Sequence, residues 1–490
     1  MADRYLALDM GAESGRGVVG TLEQGKLRLE EVHRFPNGPV RMGDTLYWDL
    51  PRQHQEQLTA IGKAHAGGAL SAIGVDTWGV DFGLMDARGG LIGLPVHYRD
   101  ARTNGMVERV FGRVPRAEVF ARTGIQTMQI NTLFQLAALA EQSPRLLDAA
   151  DRLLFIPDLF HHFLSGQTDA EFSDATTSQM YDPRAGDWAR GMLEQAGVPT
   201  HFLPPVVPPG TACGPLLPHV AEATGAGAVP VIAPAGHDTA CAVAAVPAEG
   251  RSGWAYLSSG TWSLLGVEVR EPVINAESEA ANFTNEGGVE GTFRLLKNIG
   301  GLWLVQECRR AYARLGDDRP YDKLTRLAGD APALAAFVDP DHPSLLAPPD
   351  MPRALRELCA ATGQTPPEGV GATIRCALDS LALKYRWTLE RLEQITGEPV
   401  HTLHIVGGGT QNTLLNQLAA DATGRLVKAG PVEATAAGNV LLQAMAQGRL
   451  GSLDELRAVV RASFPIDTYE PAAADKAGWD DAYGRFKAML

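Results

Sequence analysis

Cysteine is scarce in this 490-residue chain: five residues, at positions 213, 241, 308, 359 and 376, none of them in a CxxC pair. An odd count spread so thinly makes neither a disulfide framework nor a zinc-ligand spacing, and it suits a reducing compartment, so a cytoplasmic location is expected. A basic surplus is missing too. The formal net charge of -14 argues against nucleic acid or an anionic membrane as partner, because phosphate backbones are held by clustered Lys and Arg. An anionic small ligand stays compatible, since only local charge counts in a cleft. No apolar run reaches membrane-spanning length, and the N-terminus enters a strand pattern without the basic-then-apolar layout of a signal peptide. HExxH, GxSxG and GxxxxGK[ST] are all absent, which sets aside zinc proteolysis, the serine-hydrolase elbow and the Walker phosphate loop. His161-His162 and Asp341-His342 remain as metal-binding pairs, but such pairs are more often structural or solvated.

What is present is an ordinary globular composition, 45% hydrophobic and 20% charged, long enough for two to four domains. Within it one loop type occurs twice. Leu8-Asp9-Met10-Gly11-Ala12-Glu13-Ser14 and Leu257-Ser258-Ser259-Gly260-Thr261-Trp262-Ser263 each join two apolar strand-like runs, so each reads as a hairpin with a small-residue tip. Glycine lets the backbone approach an anion, and Ser14, Ser259, Thr261 and Ser263 add hydroxyl donors. Positions 9 and 258 lie 249 residues apart, about half the chain, which suggests a duplicated fold closing on a nucleotide. Small-residue hairpins are also common by chance.

The first half alternates strand-like and helix-like segments: Tyr5 to Leu8, Gly17 to Leu22 and Leu27 to Phe35, a helix from Pro51 to His65, then Ala72 to Val75. This predicts mixed α/β architecture opening on a three-stranded meander. A Pro-rich stretch, Pro204 to Pro218, precedes the run Val229 to Ala233, which leads into Gly236-His237-Asp238-Thr239. A linker is expected at Val246 to Gly250, giving domains over 1–245 and 246–490. In the second half, Leu381, Tyr385, Thr388, Leu392 and Ile395 follow helical spacing up to Gly397. A strand over Thr402 to Val406, the turn Gly407-Gly408-Gly409-Thr410 and a helix over about 412–422 come next. The triple glycine reads either as bare backbone for a flat ligand or as a tight connection.

Asp238 follows a strand at the edge where a parallel sheet presents ligand-binding side chains. It reads as a base accepting a hydroxyl proton in phosphoryl transfer, or as the cap of a helix beginning near Ala240. Asp9, beside the first hairpin tip, is a hard carboxylate suited to Mg²⁺, or a turn residue. Arg16 is placed to meet phosphate charge or to form an ion pair. Gly74 to Phe82, with Asp76, Trp78 and Asp81, suits a polyol, although Trp78 is equally suited to a core. His97 to Arg102 adds polar groups, and Asn298 and Gln306 stand in an apolar stretch as in a lined cleft.

Taken together, Asp9-Met10-Gly11, Gly236-His237-Asp238, Ser258-Ser259-Gly260-Thr261 and Gly407-Gly408-Gly409 resemble the successive motifs of the FGGY carbohydrate kinases, within the actin, hexokinase and Hsp70 superfamily. Asp76 to Phe82, Leu94 to Asp100, Asn282 to Gly288 and Leu296 to Ile299 resemble the branch of that family acting on L-rhamnulose. The resemblance runs from residue 5 to about 470. It implies two RNase H-like α/β domains flanking a nucleotide and sugar cleft, with transfer of the ATP γ-phosphate to the 1-hydroxyl of L-rhamnulose. It further implies Asp238 as base, with Gly79, His237, Asp238, Thr239 and Asn298 on the sugar. Ala12, Glu13, Ser14, Gly15, Arg16, Thr261, Gln306 and Gly408 fall on ATP, and Asp9 on Mg²⁺. Some relatives carry cysteines flanking the segment occupied here by Ala419 to Thr423, and this chain lacks them. The nearest alternatives are a kinase of the same family for L-fuculose, L-ribulose, D-xylulose or glycerol, and, from another class, a nucleotide-driven switch without a sugar acceptor.

Overall fold

The computed structural model describes residues 2–472 and 476–490. Contacts group the chain into two compact units: 1–245 with 268–295 and 434–463, and 246–267 with 296–433 and 464–490.

The first unit is built on a mixed sheet. Its six strands lie in the order Thr211–Pro215, Pro230–Ala233, Ala72–Thr77, Asp3–Met10, Ser14–Glu23, Lys26–Pro36. Asp3–Met10 pairs antiparallel with Ser14–Glu23 and parallel with Ala72–Thr77, in a register that sets Asp9 opposite both Arg16 and Asp76. The residues from Tyr5 to Met10 are fully buried apart from Asp9 at 7% exposure. A strand covered on both faces reads as such a continuous apolar run. The helix Leu50–Ala66 covers one face; Asp49 caps it by accepting from Arg52 N at 3.3 Å, and Pro51 sits in its first turn, a pairing that stabilises a helix start by about 1 kcal/mol.

The other face receives a helix from far along the chain, Ala434–Ala446, whose sequence ATAAGNVLLQAMA is small and apolar. A Cβ on Gly438 would collide with the carbonyl of Cys241, so glycine there permits close packing against the helix Asp238–Ala244. Two polar side chains on this helix are buried and pin the sheet. Asn439 Nδ2 donates to Asp76 Oδ2 at 2.5 Å, and Gln443 Nε2 donates to the carbonyl of Leu6 at 3.0 Å.

The second unit repeats the arrangement. Trp262–Val269, Trp254–Ser259, Thr402–Val406, Leu426–Ala429 and Asp467–Tyr469 lie side by side in that order. Trp254–Ser259 again pairs antiparallel with its hairpin partner and parallel with a strand from later in the chain. The 28-residue helix Gly369–Thr396 crosses this unit and stops at Gly397, whose φ of 73° is the left-handed region glycine favours. Its buried Tyr385 hydroxyl lies 2.7 Å from Ser263 Oγ, under the hairpin. All five cysteines are free thiols; Cys359 and Cys376 approach within 3.8 Å.

Candidate active site

In the first unit the hairpin tip is braced from below by Asn37. Its Nδ2 donates to the carbonyl of Gly11 at 2.8 Å and its N–H to the carbonyl of Glu13 at 3.0 Å. Ala12, Glu13 and Ser14 therefore stand at an ordered edge. Gly15 is buried, because a Cβ there would enter the Phe35 ring. Arg16 points at protein: its Nε and Nη2 donate to Asp9 Oδ2 at 2.9 and 2.7 Å. Of the two sequence readings for Arg16, the ion pair is the one seen. Asp9 Oδ1 accepts no hydrogen bond from the described residues.

Asp9 is the first of three neighbouring carboxylates. Asp76 is fully buried, and burial, with the Asp9 charge beside it, holds its pKa well above the usual carboxylate range. Asp238 is the third. Its side chain keeps 30% of its exposure, yet burial, reinforced by Asp9 and opposed by His237, pushes its pKa up. Such perturbed acids at a strand edge are what a proton-accepting site requires. Asp238 is the first residue of its helix rather than its cap; Oδ1 accepts from Thr239 N at 2.6 Å, and Oδ2 accepts no hydrogen bond from the described residues. His237, not Asp238, stands at the cap position, so the cap reading is not the one seen, and Oδ2 carries no hydrogen bond from the described residues.

The loop carrying Asp238 is held by residues the sequence did not single out. Glu171 Oε2 accepts from Gly236 N at 2.7 Å and from Ser173 Oγ at 2.5 Å, and Ser173 Oγ in turn accepts from His237 N at 3.2 Å. Burial raises the Glu171 pKa to about 7. Thr77 N donates to the carbonyl of Gly236 at 2.8 Å, tying the loop to the central strand. Thr239 is buried behind it.

Gly79 packs on Thr177, 3.0 Å from where its Cβ would stand. The next residue, Val80, has φ 70°, an uncommon and strained conformation for a β-branched side chain. It is clamped there: Thr177 Oγ1 accepts from its N–H at 3.1 Å, and Thr132 Oγ1 donates to its carbonyl at 2.7 Å. The rest of the presumed polyol cluster is core. Trp78 is 6% exposed and stacks on Trp48 at 3.9 Å, and His97 and Tyr98 complete the aromatic group. Asp81 is buried and accepts from both tryptophans and from Gln135 Nε2. Asp76 and Asp81, candidate polyol contacts by sequence, bond instead to protein: Asp76 through Oδ2 to Asn439, with Oδ1 left without a partner, and Asp81 through both oxygens.

In the second unit three predicted residues converge. The hairpin pairs Ser259 with Ser263, leaving Gly260 and Thr261 near the tip. Leu302 N and Trp303 N donate to the carbonyls of Gly260 and Thr261 at 3.0 and 3.1 Å, which docks the helix Trp303–Arg314 on the tip. Gln306 lies one turn in, and its Oε1 is buried without a hydrogen-bond partner. Gly407 and Gly409 both press on Ser259, whereas a Cβ on Gly408 would meet nothing within 4 Å. Gly408 is thus the exposed member of the triplet. Asn298 is half-buried on the strand Phe293–Gly300, whose last N–H is fixed by Asp341 Oδ1 at 2.9 Å.

The donor set fits magnesium delivered with a nucleotide better than a resident metal. Among the described residues no group of three His, Cys, Asp or Glu side chains is placed to hold an ion. Mg²⁺ commonly takes one or two carboxylates plus phosphates and water, and the unbonded Asp9 oxygen meets that need. His161 is buried against Asp158, and Asp341 pairs with Lys384. No helix among the described residues is long and apolar enough to cross a membrane.

Against known proteins, residues 4–245 match the N-terminal domain, and residues 255–447 the C-terminal domain, of the FGGY family of carbohydrate kinases. A rhamnulokinase of Bacteroides thetaiotaomicron is 45% identical over 99% of both chains, and one of Pectobacterium atrosepticum 40% identical over 99% of this chain and 96% of its own. A xylulose kinase of Lactobacillus acidophilus superposes with a TM-score of 0.82 at 14% identity, covering 99% of this chain and 97% of its own. Plasmodium falciparum glycerol kinase, solved with ADP, does so at 0.77 and 14%, covering 100% and 98%. The structural likenesses show the two-domain α/β sugar-kinase fold, and the family matches span both halves, so this chain belongs to the FGGY family of carbohydrate kinases.

Proposed function

We propose that this chain transfers the γ-phosphoryl group of ATP to the 1-hydroxyl of L-rhamnulose, giving L-rhamnulose 1-phosphate and ADP. The observation that carries the substrate is the end-to-end 45% identity to a protein named rhamnulokinase. Its 1–245 segment supplies the base, most of the sugar contacts and the first phosphate hairpin, and its 246–490 segment the remaining nucleotide contacts, Thr261, Gln306 and Gly408.

Asp238 Oδ2 takes the proton as the sugar oxygen bonds to the γ-phosphorus and the bond to the β-phosphate oxygen breaks; the proton then leaves to solvent. Gly79, His237, Thr239 and Asn298 orient the ketose. Ala12 to Gly15 and Thr261 present main-chain and hydroxyl groups to the phosphates, Gln306 offers its unpaired amide, and Gly408 lies under a flat part of the nucleotide. Arg16 acts by holding Asp9. Asp9 is the carboxylate for Mg²⁺, which supplies charge neutralisation on the phosphates when bound. Phosphoryl transfer needs mainly positioning and electrostatic stabilisation, so this set suffices without a covalent protein intermediate. The free thiols agree with a cytoplasmic setting.

The test is ADP release with Mg²⁺-ATP against L-rhamnulose, L-fuculose, L-ribulose, D-xylulose and glycerol. Selective turnover of L-rhamnulose is expected. Preference for another sugar overturns the substrate and keeps the chemistry; silence with every sugar overturns the reading.

A further inference from the structure

The strained residue Val80 has every main-chain polar group taken up by a side chain. Its N–H donates to Thr177 Oγ1 at 3.1 Å, and its carbonyl accepts from Thr132 Oγ1 at 2.7 Å and from Gln135 Nε2 at 3.3 Å. The neighbouring Gly79 carbonyl, although half-buried, accepts no hydrogen bond from the described residues. These two facts belong to one peptide unit, Gly79 C=O and Val80 N–H. Among the described residues the cis peptide is Gly430-Pro431 alone, so this unit is trans. In a planar trans peptide the N–H and the C=O point in opposite directions. Drawing the Val80 N–H onto the buried Thr177 therefore turns the Gly79 carbonyl away from it. Backbone strain held by surrounding bonds in this way is a mark of function.

Thr177 is free to accept because its own proton goes elsewhere. Its hydroxyl donates to the Asp174 carbonyl at 2.8 Å, with Asp174 Oδ1 at 3.1 Å, which leaves a lone pair for Val80. A Cβ on Gly79 would stand 3.0 Å from Thr177 Oγ1 and 3.1 Å from its Cγ2, so glycine lets the peptide lie this close. The same short segment holds the loop of the candidate base. Glu171 accepts from Gly236 N, Ser173 from His237 N, and Thr177, four residues on, from Val80 N. Thr77 N, two residues before Gly79, donates to the Gly236 carbonyl. One brace thus sets both the Gly79 carbonyl and the Asp238 loop. A carbonyl only accepts, so its partner must donate, and the hydroxyls of a ketose do.

We propose that Thr177 is a positioning residue for the acceptor sugar: by holding the Val80 N–H it presents the Gly79 carbonyl to one non-reacting hydroxyl of the ketose. The inference rests on the reading of this chain as a ketose kinase with Gly79 on the sugar, and adds the atom that makes the contact and the side chain that aims it.

The test begins with wild-type protein and analogues in which each non-reacting hydroxyl is replaced in turn by hydrogen or by fluorine, which does not donate. At one position or more both replacements are expected to lower kcat/KM about tenfold, the worth of one hydrogen bond. Fluorine restoring activity at every position overturns the proposal, and this arm needs no variant to fold. Thr177→Val, close in shape but without the acceptor, is expected to raise KM for the ketose about tenfold, with KM for ATP within about twofold. It should also shrink the penalty at that same hydroxyl to about twofold, a coupling that a merely structural role does not produce. Thr177→Ser keeps the acceptor and should restore both. Equal penalties in wild type and a folded Thr177→Val protein overturn the proposal while ketose turnover stands. Wild-type silence with every ketose instead overturns the kinase reading, and this inference with it.

Discussion

Two modules of this molecule share a plan and differ in material. Each is a hairpin whose first strand also pairs parallel with a later strand: Asp3–Met10 with Ala72–Thr77, and Trp254–Ser259 with Thr402–Val406. In the first module the strand ends carry Asp9 and Asp76, and a third carboxylate, Asp238, joins them. In the second, the corresponding ends carry Ser258, Ser259 and the glycine triplet. One module concentrates negative charge and must spend hydrogen bonds from Arg16, Asn439 and Thr239 to hold it. The other offers backbone and hydroxyl groups that welcome negative charge. The same fold thus carries carboxylates in one unit and backbone and hydroxyl groups in the other, the division on which the proposed proton acceptor and the proposed phosphate grip rest.

The sharpest way to break this comparison is Asp238→Asn, which keeps shape and removes the only function assigned to Oδ2. We expect kcat to fall by about 10²–10⁴, with ATP affinity, measured by calorimetry, nearly unchanged. Near-normal turnover would remove Asp238 from the base role. The wild-type pH–rate profile sharpens the same point. Because burial raises the Asp238 pKa, the acid limb of kcat/KM should lie above the ordinary carboxylate range, activity falling as pH drops through it.

The shape of the glycine-and-hydroxyl module was legible in the sequence because it resides in local backbone. Ser258 to Ser263 and Gly407 to Thr410 are contiguous, and a strand, a tight turn and a helix are short-range patterns. The carboxylate module was only partly legible. Asp9 and Asp238 stood out, but Glu171 and Ser173 reach the site from a distant segment, and nothing local marks them. Asn439 and Gln443 are the exception. Two amides at i and i+4 on an otherwise apolar helix are a readable sign of buried polar pairing. Asp81, His97 and Tyr98 misled for the opposite reason, whereas Trp78 took the core role that was one of its two readings. Polar and aromatic residues clustered at a strand end look alike in sequence whether they face a sugar or satisfy one another.

The second module predicts a separation of binding from stability between adjacent glycines. Gly408 faces open space, so Gly408→Val should leave the melting temperature within about 2 °C while raising KM for ATP about tenfold through obstruction of the ligand. Gly409 lies on Ser259, so Gly409→Val should lower the melting temperature by several degrees as well. Equal stability losses in both variants would show that the triplet is a packing element, not a ligand platform.

The smallest expected effect concerns how the first module holds its loop. Glu171 is buried, carries a pKa raised to about 7, and fixes the backbone of Gly236. A carboxyl whose folded pKa exceeds its unfolded value binds more protons when native. Its contribution to stability is therefore full below about pH 4.5 and is lost as pH rises through about 7, by an amount of order 3 kcal/mol. Glu171→Gln removes that proton exchange while keeping one acceptor for Gly236. The wild-type melting temperature should fall by a few °C more than that of the variant between pH 5 and pH 8. Parallel curves would mean that Glu171 is ionised at both pH values, held by its donors, and that the loop is braced by a charge. Converging curves would mean that the carboxylate module, like the glycine one, is held by neutral hydrogen bonds wherever no chemistry requires a charge.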